Sequence, residues 1–135
     1  MATIQRFEDL EIWKKSRTLS NKVYPLTFND PIAKDFRMKD QIRGSFGSIM
    51  DNIAEGFERG SKFEFINSLT IAKGETGELK SQFYRCLDNK YISQKIFDEL
   101  YNLADELTKM ITSFISYLNK SQIKGQKFKN RTGNA

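Results

Sequence analysis

Residues equipped for chemistry are few in this chain, and the most suggestive of them are gathered in "DNIAEGFERG" at positions 51–60. Asn52, Glu55 and Arg59 stand there at i, i+3 and i+7, which is one face of a helix. An amide, a carboxylate and a guanidinium on one line could serve an acid–base site, an anion site or a polar network between helices. The rest of the chain argues against catalysis. It contains no histidine, so the usual general base, the serine triad and most metal-ligand sets cannot be built. Cys86, the single cysteine, has no imidazole to activate it and adjoins Leu87 near the end of an apolar stripe, which predicts a packed, inert thiol. Glu55, Glu75 and Glu78 could in principle make an all-carboxylate metal site. Dimetal sites in helical bundles ordinarily add Glu-x-x-His pairs, however, and none can exist here. Gly74-x-x-Gly77 falls inside a helical stretch and is no phosphate-binding loop. No catalytic residue, cofactor or metal is therefore expected.

The elements that position these residues are helical. Only Pro25 and Pro31 interrupt the chain, and apolar residues recur at alternating steps of three and four. In the first segment Ile12, Leu19, Val23 and Leu26 share a stripe with Ser16 between them and Trp13 beside it; Pro25 should end or kink this helix near Tyr24. Asp30 followed by Pro31 resembles a helix start. The second stripe is Met38, Ile42, Phe46, Ile49, Ile53 and Phe57, stopping at Gly60. Ser61 and Glu64 form a capping-box pattern that opens the third helix, whose stripe is Phe65, Leu69, Ala72, Thr76, Leu79 and Phe83. Ser93 can cap the fourth, with Ile96, Leu100, Leu103, Leu107, Met110, Phe114 and Tyr117 as its apolar positions. Four long helices with short connections bury their stripes most simply as an antiparallel four-helix bundle. The reading is all-α, with a bundle over residues 1–120 and a basic tail over residues 121–135.

On a helical wheel the second helix has two faces that need explaining. With Asn52 at zero, Ile42, Phe46, Ile49, Ile53 and Phe57 fall between about 60° and 140°, the core side. Gln41, Ser45, Ser48, Asn52, Glu55, Gly56 and Arg59 fall between about −60° and +40°, a line of small and hydrogen-bonding residues. The third helix has a similar cluster in Thr70, Gly74, Gly77 and Ser81. Gly44, Gly47, Gly74 and Gly77 lie well inside predicted helices, where each glycine costs about 0.5–1 kcal/mol. Their return would be close approach of another backbone, within the bundle or across a subunit interface. Asn52, Glu55 and Arg59 are expected to bond to neighbouring helices, so that Asn52→Leu or Glu55→Ala weakens folding or assembly.

Charge is distributed unevenly. The net charge is +5, yet no acid follows Glu106 whereas six lysines and arginines do, so residues 1–106 carry −1. Lys120, Lys124, Lys127, Lys129 and Arg131 make the C-terminal end basic, either as a solubilising tail or as an arm that touches phosphates. Lys14, Lys15, Arg17 and Lys22 on the first helix could join them, or be ordinary solvated helix charges. The N-terminal stretch has acids where a signal segment would be apolar, and no run approaches the ~20 apolar residues of a membrane span. With one cysteine and no staple required at this size, a cytoplasmic location is expected.

Three blocks, "FEDLEIWKKS", "DQIRGSFGSIMDNIAEGFERGSKFEFINSL" and "IAKGETGELKSQ", occur in that order. Together they resemble the bacterial four-helix-bundle proteins encoded in intervening sequences of large-subunit ribosomal RNA genes, over about residues 7–118. The most specific part runs from Asn52 to Phe57 and on to Arg59, supported by Gln41, Gly74 and Glu78. The resemblance implies an up-down-up-down bundle that assembles as a homopentameric barrel, as do the similar accessory variability determinant proteins of diversity-generating retroelements. For those accessory proteins it implies a basic surface that binds nucleic acid and a partner reverse transcriptase. This chain departs from the pattern at Gly44, where the family often has an arginine, and at Met50, where it often has a proline. The absent arginine removes a cation from any nucleic-acid surface on the second helix.

Two readings of function follow besides the disfavoured carboxylate-metal enzyme. One is a non-enzymatic oligomeric module that contacts RNA or DNA without strong sequence preference. The other is a structural adaptor for another protein, with no role for nucleic acid and no membrane partner.

Overall fold

The computed structural model describes residues 4–121. They form four α-helices, α1 (Glu11–Val23), α2 (Phe36–Arg59), α3 (Lys62–Asp88) and α4 (Gln94–Lys120). Short 3-10 turns precede α1 at Phe7–Asp9 and link α1 to α2 at Tyr24–Phe28 and Ile32–Lys34. No strand occurs among the described residues.

Local chemistry sets each boundary. α1 gives way to a 3-10 turn at Tyr24, with Pro25 in its first turn, because the proline ring cannot continue the α ladder. α2 ends at Gly60, whose left-handed φ of 85° lets its N–H reach the carbonyl of Phe57, a turn that suits glycine. Ser61 Oγ then accepts the backbone N–H of Glu64 at 3.0 Å and opens α3. The Glu64 carboxylate does not return to Ser61; it lies 3.8 Å from Arg59 instead. Ser93 caps α4 through the N–H of Ile96.

The start of α2 differs from the sequence expectation. Asp30-Pro31 is a cis peptide followed by the 3-10 turn, and the helix begins at Phe36, five residues after Pro31. Its cap is Asp35, whose Oδ1 accepts the Met38 N–H at 3.1 Å, while its Oδ2 accepts the Tyr91 hydroxyl at 2.8 Å. Asp35 thus ties the first turn of α2 to the connection between α3 and α4.

The core follows the predicted stripes on α1, α2 and α3. Ile12, Leu19 and Val23, then Met38, Ile42, Phe46, Ile49, Ile53 and Phe57, then Phe65, Leu69, Ala72, Thr76, Leu79 and Phe83 are all buried. Large apolar side chains contribute about 1.5–3 kcal/mol each when fully buried, so these rows dominate the stability. α4 is rotated from its predicted centre. Its buried row is Phe97, Leu100, Ala104, Leu107, Ile111 and Leu118, whereas Ile96, Leu103, Met110 and Phe114 are only partly covered and Tyr117 is exposed. α4 is apolar across a wide arc, and its packing on α3 selects which part of that arc becomes central.

Side-chain pairs fix the helix directions. Gln41 meets Arg85 and Gly56 meets Ser68 between α2 and α3. Lys80 meets Asp105 and Thr76 meets Thr108 between α3 and α4, and Lys15 meets Glu106 and Lys22 meets Glu99 between α1 and α4. In each pair one number rises as the other falls, so these neighbours run antiparallel.

Candidate functional site

The polar line of α2 grades in exposure: Ser45 and Gly56 are buried, Gln41, Ser48 and Asn52 are partly covered, and Glu55 and Arg59 are exposed. Asn52 Nδ2 donates to the Ser48 carbonyl at 2.8 Å and to Ser48 Oγ at 3.0 Å, both on its own helix. Glu55 and Arg59 pair at 3.6 Å along α2, both exposed. Gln41 and Arg59 are the members whose contacts cross to α3: Gln41 Oε1 accepts from Arg85 Nη1 at 3.1 Å, and Arg59 lies 3.8 Å from Glu64. Among the described residues, Asn52 and Glu55 find their partners one turn along α2, in Ser48 and Arg59, and not on a neighbouring helix of the chain.

Gly56 alone among the helix-interior glycines serves packing inside the chain. A Cβ there would lie 2.5 Å from Ser68 Cβ, closer than side chains can sit, and 3.1 Å from Phe65 Cδ1, a tight contact. The contact between α2 and α3 is the most extensive between helices of the described residues. Gly44, Gly47, Gly74 and Gly77 are different. Among the described residues, a Cβ on any of them would meet nothing within 4 Å, so close approach between the described helices does not explain them. Gly74, Gly77 and Glu78 are exposed on α3, with Glu78 Oε1 accepting weakly from Gln82 Nε2 at 3.4 Å. Ser45 Oγ and Gln82 Oε1 are buried in this helix pair without a hydrogen-bond partner among the described residues.

The basic candidates separate into two groups. Lys14 pairs with Glu11 at 3.2 Å, Lys15 with Glu106, and Lys22 with Glu99 at 3.3 Å, so acids of the bundle already answer most of the α1 charge. Arg17 lies over Trp13, 5.7 Å from the ring centre, and Lys120 is exposed at the end of α4. Lys124, Lys127, Lys129 and Arg131 lie outside the described residues.

Titrating groups give little support to catalysis. Burial pushes the Cys86 thiol up to about 11, with the Arg85 charge opposing, so it is neutral and poorly nucleophilic near pH 7. Glu75 is raised by burial and by the neighbouring Glu78. Asp105 is lowered by hydrogen bonds from Lys80 and Lys109, as in a structural ion pair. Among the described residues no three cysteine or carboxylate side chains gather closely enough to hold a metal ion.

Sequence reasoning missed two features. One is a cluster of Tyr24, Phe28, Thr27 and Arg43 at the end of the bundle, to which the i, i+4 spacing of the two rings was the available signal. The other is an open apolar groove of about 630 Å³ between the chain preceding α1 and the second half of α4, lined by Ile4, Leu10, Ile12, Met110, Phe114 and Tyr117 among others. The groove exists because α1 has 13 residues against 27 in α4 and stops short of its neighbour.

The family model described as 23S rRNA-intervening sequence protein matches residues 8–113. The chain belongs to that family. The matched span contains all of α1, α2 and α3 and most of α4, so the family's pattern is the bundle itself. A crystal structure of a protein of unknown function from the S23 ribosomal protein family of Bacteroides thetaiotaomicron is similar, with a TM-score of 0.71 and 29% sequence identity. The match covers 77% of this chain and 97% of that one. No curated protein matches. The family assignment agrees with the resemblance drawn from Asn52 to Phe57, Arg59, Gln41, Gly74 and Glu78, and its description names a gene location and no chemistry. No described helix is long and apolar enough to cross a membrane.

Proposed function

We propose that this intervening-sequence protein is a non-catalytic assembly module, cytoplasmic, that associates with copies of itself through the outer face of α2 and α3. The observation that carries this reading is the set of interior glycines that face open space. Gly44, Gly74 and Gly77 each weaken their helices by about 0.5–1 kcal/mol, and among the described residues nothing comes within 4 Å of a Cβ placed on them. Approach by another subunit supplies the missing return, and Asn52, Glu55, Glu78 and Arg59 beside them offer hydrogen bonds that fix its register. Five copies, as the resemblance implies, would close such an interface into a ring, since a repeated head-to-tail contact leaves no unsatisfied face when the rotation closes.

The assembled module contacts RNA or DNA without strong sequence preference through its basic C-terminal end, residues 120–135. Multiplying five basic residues by several copies gives a charged surface that no acid beyond Glu106 offsets. If Lys120, Lys124, Lys127, Lys129 and Arg131 each release counterions, log affinity for duplex DNA falls with log salt at a slope of about −4.5. Binding titrations across salt concentrations, repeated with the four outermost residues changed to Gln, check this. A slope unmoved by those changes would remove the C-terminal segment from the reading.

The groove beside α4 favours a second reading, an adaptor that takes an apolar side chain from another protein. Its lining of Leu10, Met110 and Phe114 suits such a contact better than a phosphate. A partner captured at high salt after nuclease treatment, and lost on Met110→Glu, would support it.

A further inference from the structure

We infer that Tyr24, Phe28, Phe36, Lys39 and Arg43 form a stacking platform for single-stranded nucleic acid, a site that rests on the nucleic-acid reading above and gives it a location. The rings are presented outward: Tyr24 is 45%, Phe28 60% and Phe36 69% exposed. Three large aromatic side chains left in water at one end of a bundle need a reason, because the core had room for many others.

Their arrangement is built and held. Thr27 is buried, its hydroxyl donates to the Tyr24 carbonyl at 2.6 Å, and the same oxygen accepts Arg43 Nε at 2.9 Å. That anchor holds the Arg43 guanidinium 5.0 Å from the Tyr24 ring centre and 4.7 Å from that of Phe28. The two rings meet edge to face at 4.9 Å and 90°. One turn back along α2, Lys39 Nζ lies 5.0 Å from the Phe36 ring. Phe36, Lys39 and Arg43 stand at i, i+3 and i+7, on one face of α2. The result is a row in which cations and aromatic rings alternate.

The charges in this row are also uncommitted. Lys14, Lys15 and Lys22 on α1 are paired with acids, whereas neither Lys39 nor Arg43 forms an ion pair among the described residues. Between residues 34 and 43 the chain carries four basic and two acidic side chains. Asp35, one of those acids, is occupied by Met38 N–H and the Tyr91 hydroxyl, which leaves Asp40 as the exposed carboxylate. Proteins that bind single strands combine these two elements, aromatic faces for the bases and cations for the backbone. A duplex keeps its base faces stacked on one another and cannot use the rings. The platform therefore selects unpaired strands by the availability of base faces, without reading sequence.

The test is fluorescence anisotropy on the full chain with a labelled oligouridine and a labelled RNA duplex of equal length. Wild-type, Phe28→Ala, Phe36→Ala and Phe28→Tyr proteins are compared, with thermal melting followed in parallel. The expected result is tighter binding of the single strand, a loss of about tenfold in each alanine variant for that probe alone, and retention in Phe28→Tyr. Unchanged single-strand binding in both alanine variants overturns the platform while the nucleic-acid reading stands. Equal losses for both probes also overturn it, since stacking would not affect the duplex. If the wild-type chain binds neither probe, both the platform and the reading beneath it fall.

Discussion

A methyl group on Gly56 and the same group on Gly74 would have opposite consequences, although both glycines sit inside helices. At Gly56 it would press on Ser68 Cβ from 2.5 Å, and overpacking of this kind costs about 1–3 kcal/mol. Gly56→Ala is therefore expected to destabilise the chain in denaturant unfolding, and Ser68→Gly should recover part of the loss. An unshifted midpoint in Gly56→Ala would contradict the packing at this crossing. Cys86 gives a second prediction at this scale. Buried, with its thiol held at about 11, it should resist a thiol reagent at pH 8 in the native protein and react fully once unfolded. Rapid native reaction would contradict that burial. The inert thiol was legible from its apolar neighbours and the absence of histidine. The partners of Asn52 were not, because a wheel gives the direction of a side chain without saying whether the Ser48 carbonyl or another helix will take its amide.

Among the elements, Asp35 links the start of α2 to Tyr91 beyond α3. The Met38 N–H, and after it the Tyr91 hydroxyl, hold the Asp35 carboxyl below its ordinary 3.8, and the same bond raises the Tyr91 hydroxyl. A carboxyl lowered by folding contributes stability above its unfolded pKa, and that contribution is lost as pH falls through the folded value. Asp35→Asn should thus lower the melting temperature at neutral pH, with the gap to wild type closing below about pH 4. A gap independent of pH would mean that the charge of Asp35 is not what holds these elements. The element boundaries show what sequence can reach. Gly60, Ser61 and Ser93 announced themselves by residue type. The start of α2 did not, since Asp30-Pro31 and Asp35 both offer a capping carboxylate, with the 3-10 turn at Ile32–Lys34 between them. The width of the apolar arc on α4 likewise left its centre undecided, and Ala104, small enough to be overlooked, lies in the buried row.

For the whole molecule, the four-helix architecture was readable because each stripe keeps one period for several turns and the connections after α2 and α3 are short. The groove beside α4 was not readable, because it arises from the unequal lengths of α1 and α4 and not from any local pattern. The surface has a similar division. Charge placed the basic character at the C-terminal end, while the aromatic row at Tyr24, Phe28 and Phe36 depends on a Thr27–Arg43 bond between residues 16 apart. What unites these surfaces in the account is self-association through α2 and α3, the face on which Gly74 and Gly77 lie exposed. The most direct measurement is the light-scattering mass of the native full chain, for wild type and for Gly74→Arg, whose side chain has open space in a single copy. The account predicts a wild-type mass that is a multiple of the 15.7 kDa chain, five-fold if the ring closes as the resemblance implies, and a smaller mass for Gly74→Arg with melting preserved. A wild-type mass of 15.7 kDa at every concentration tested, or an assembly indifferent to Gly74→Arg, would contradict it.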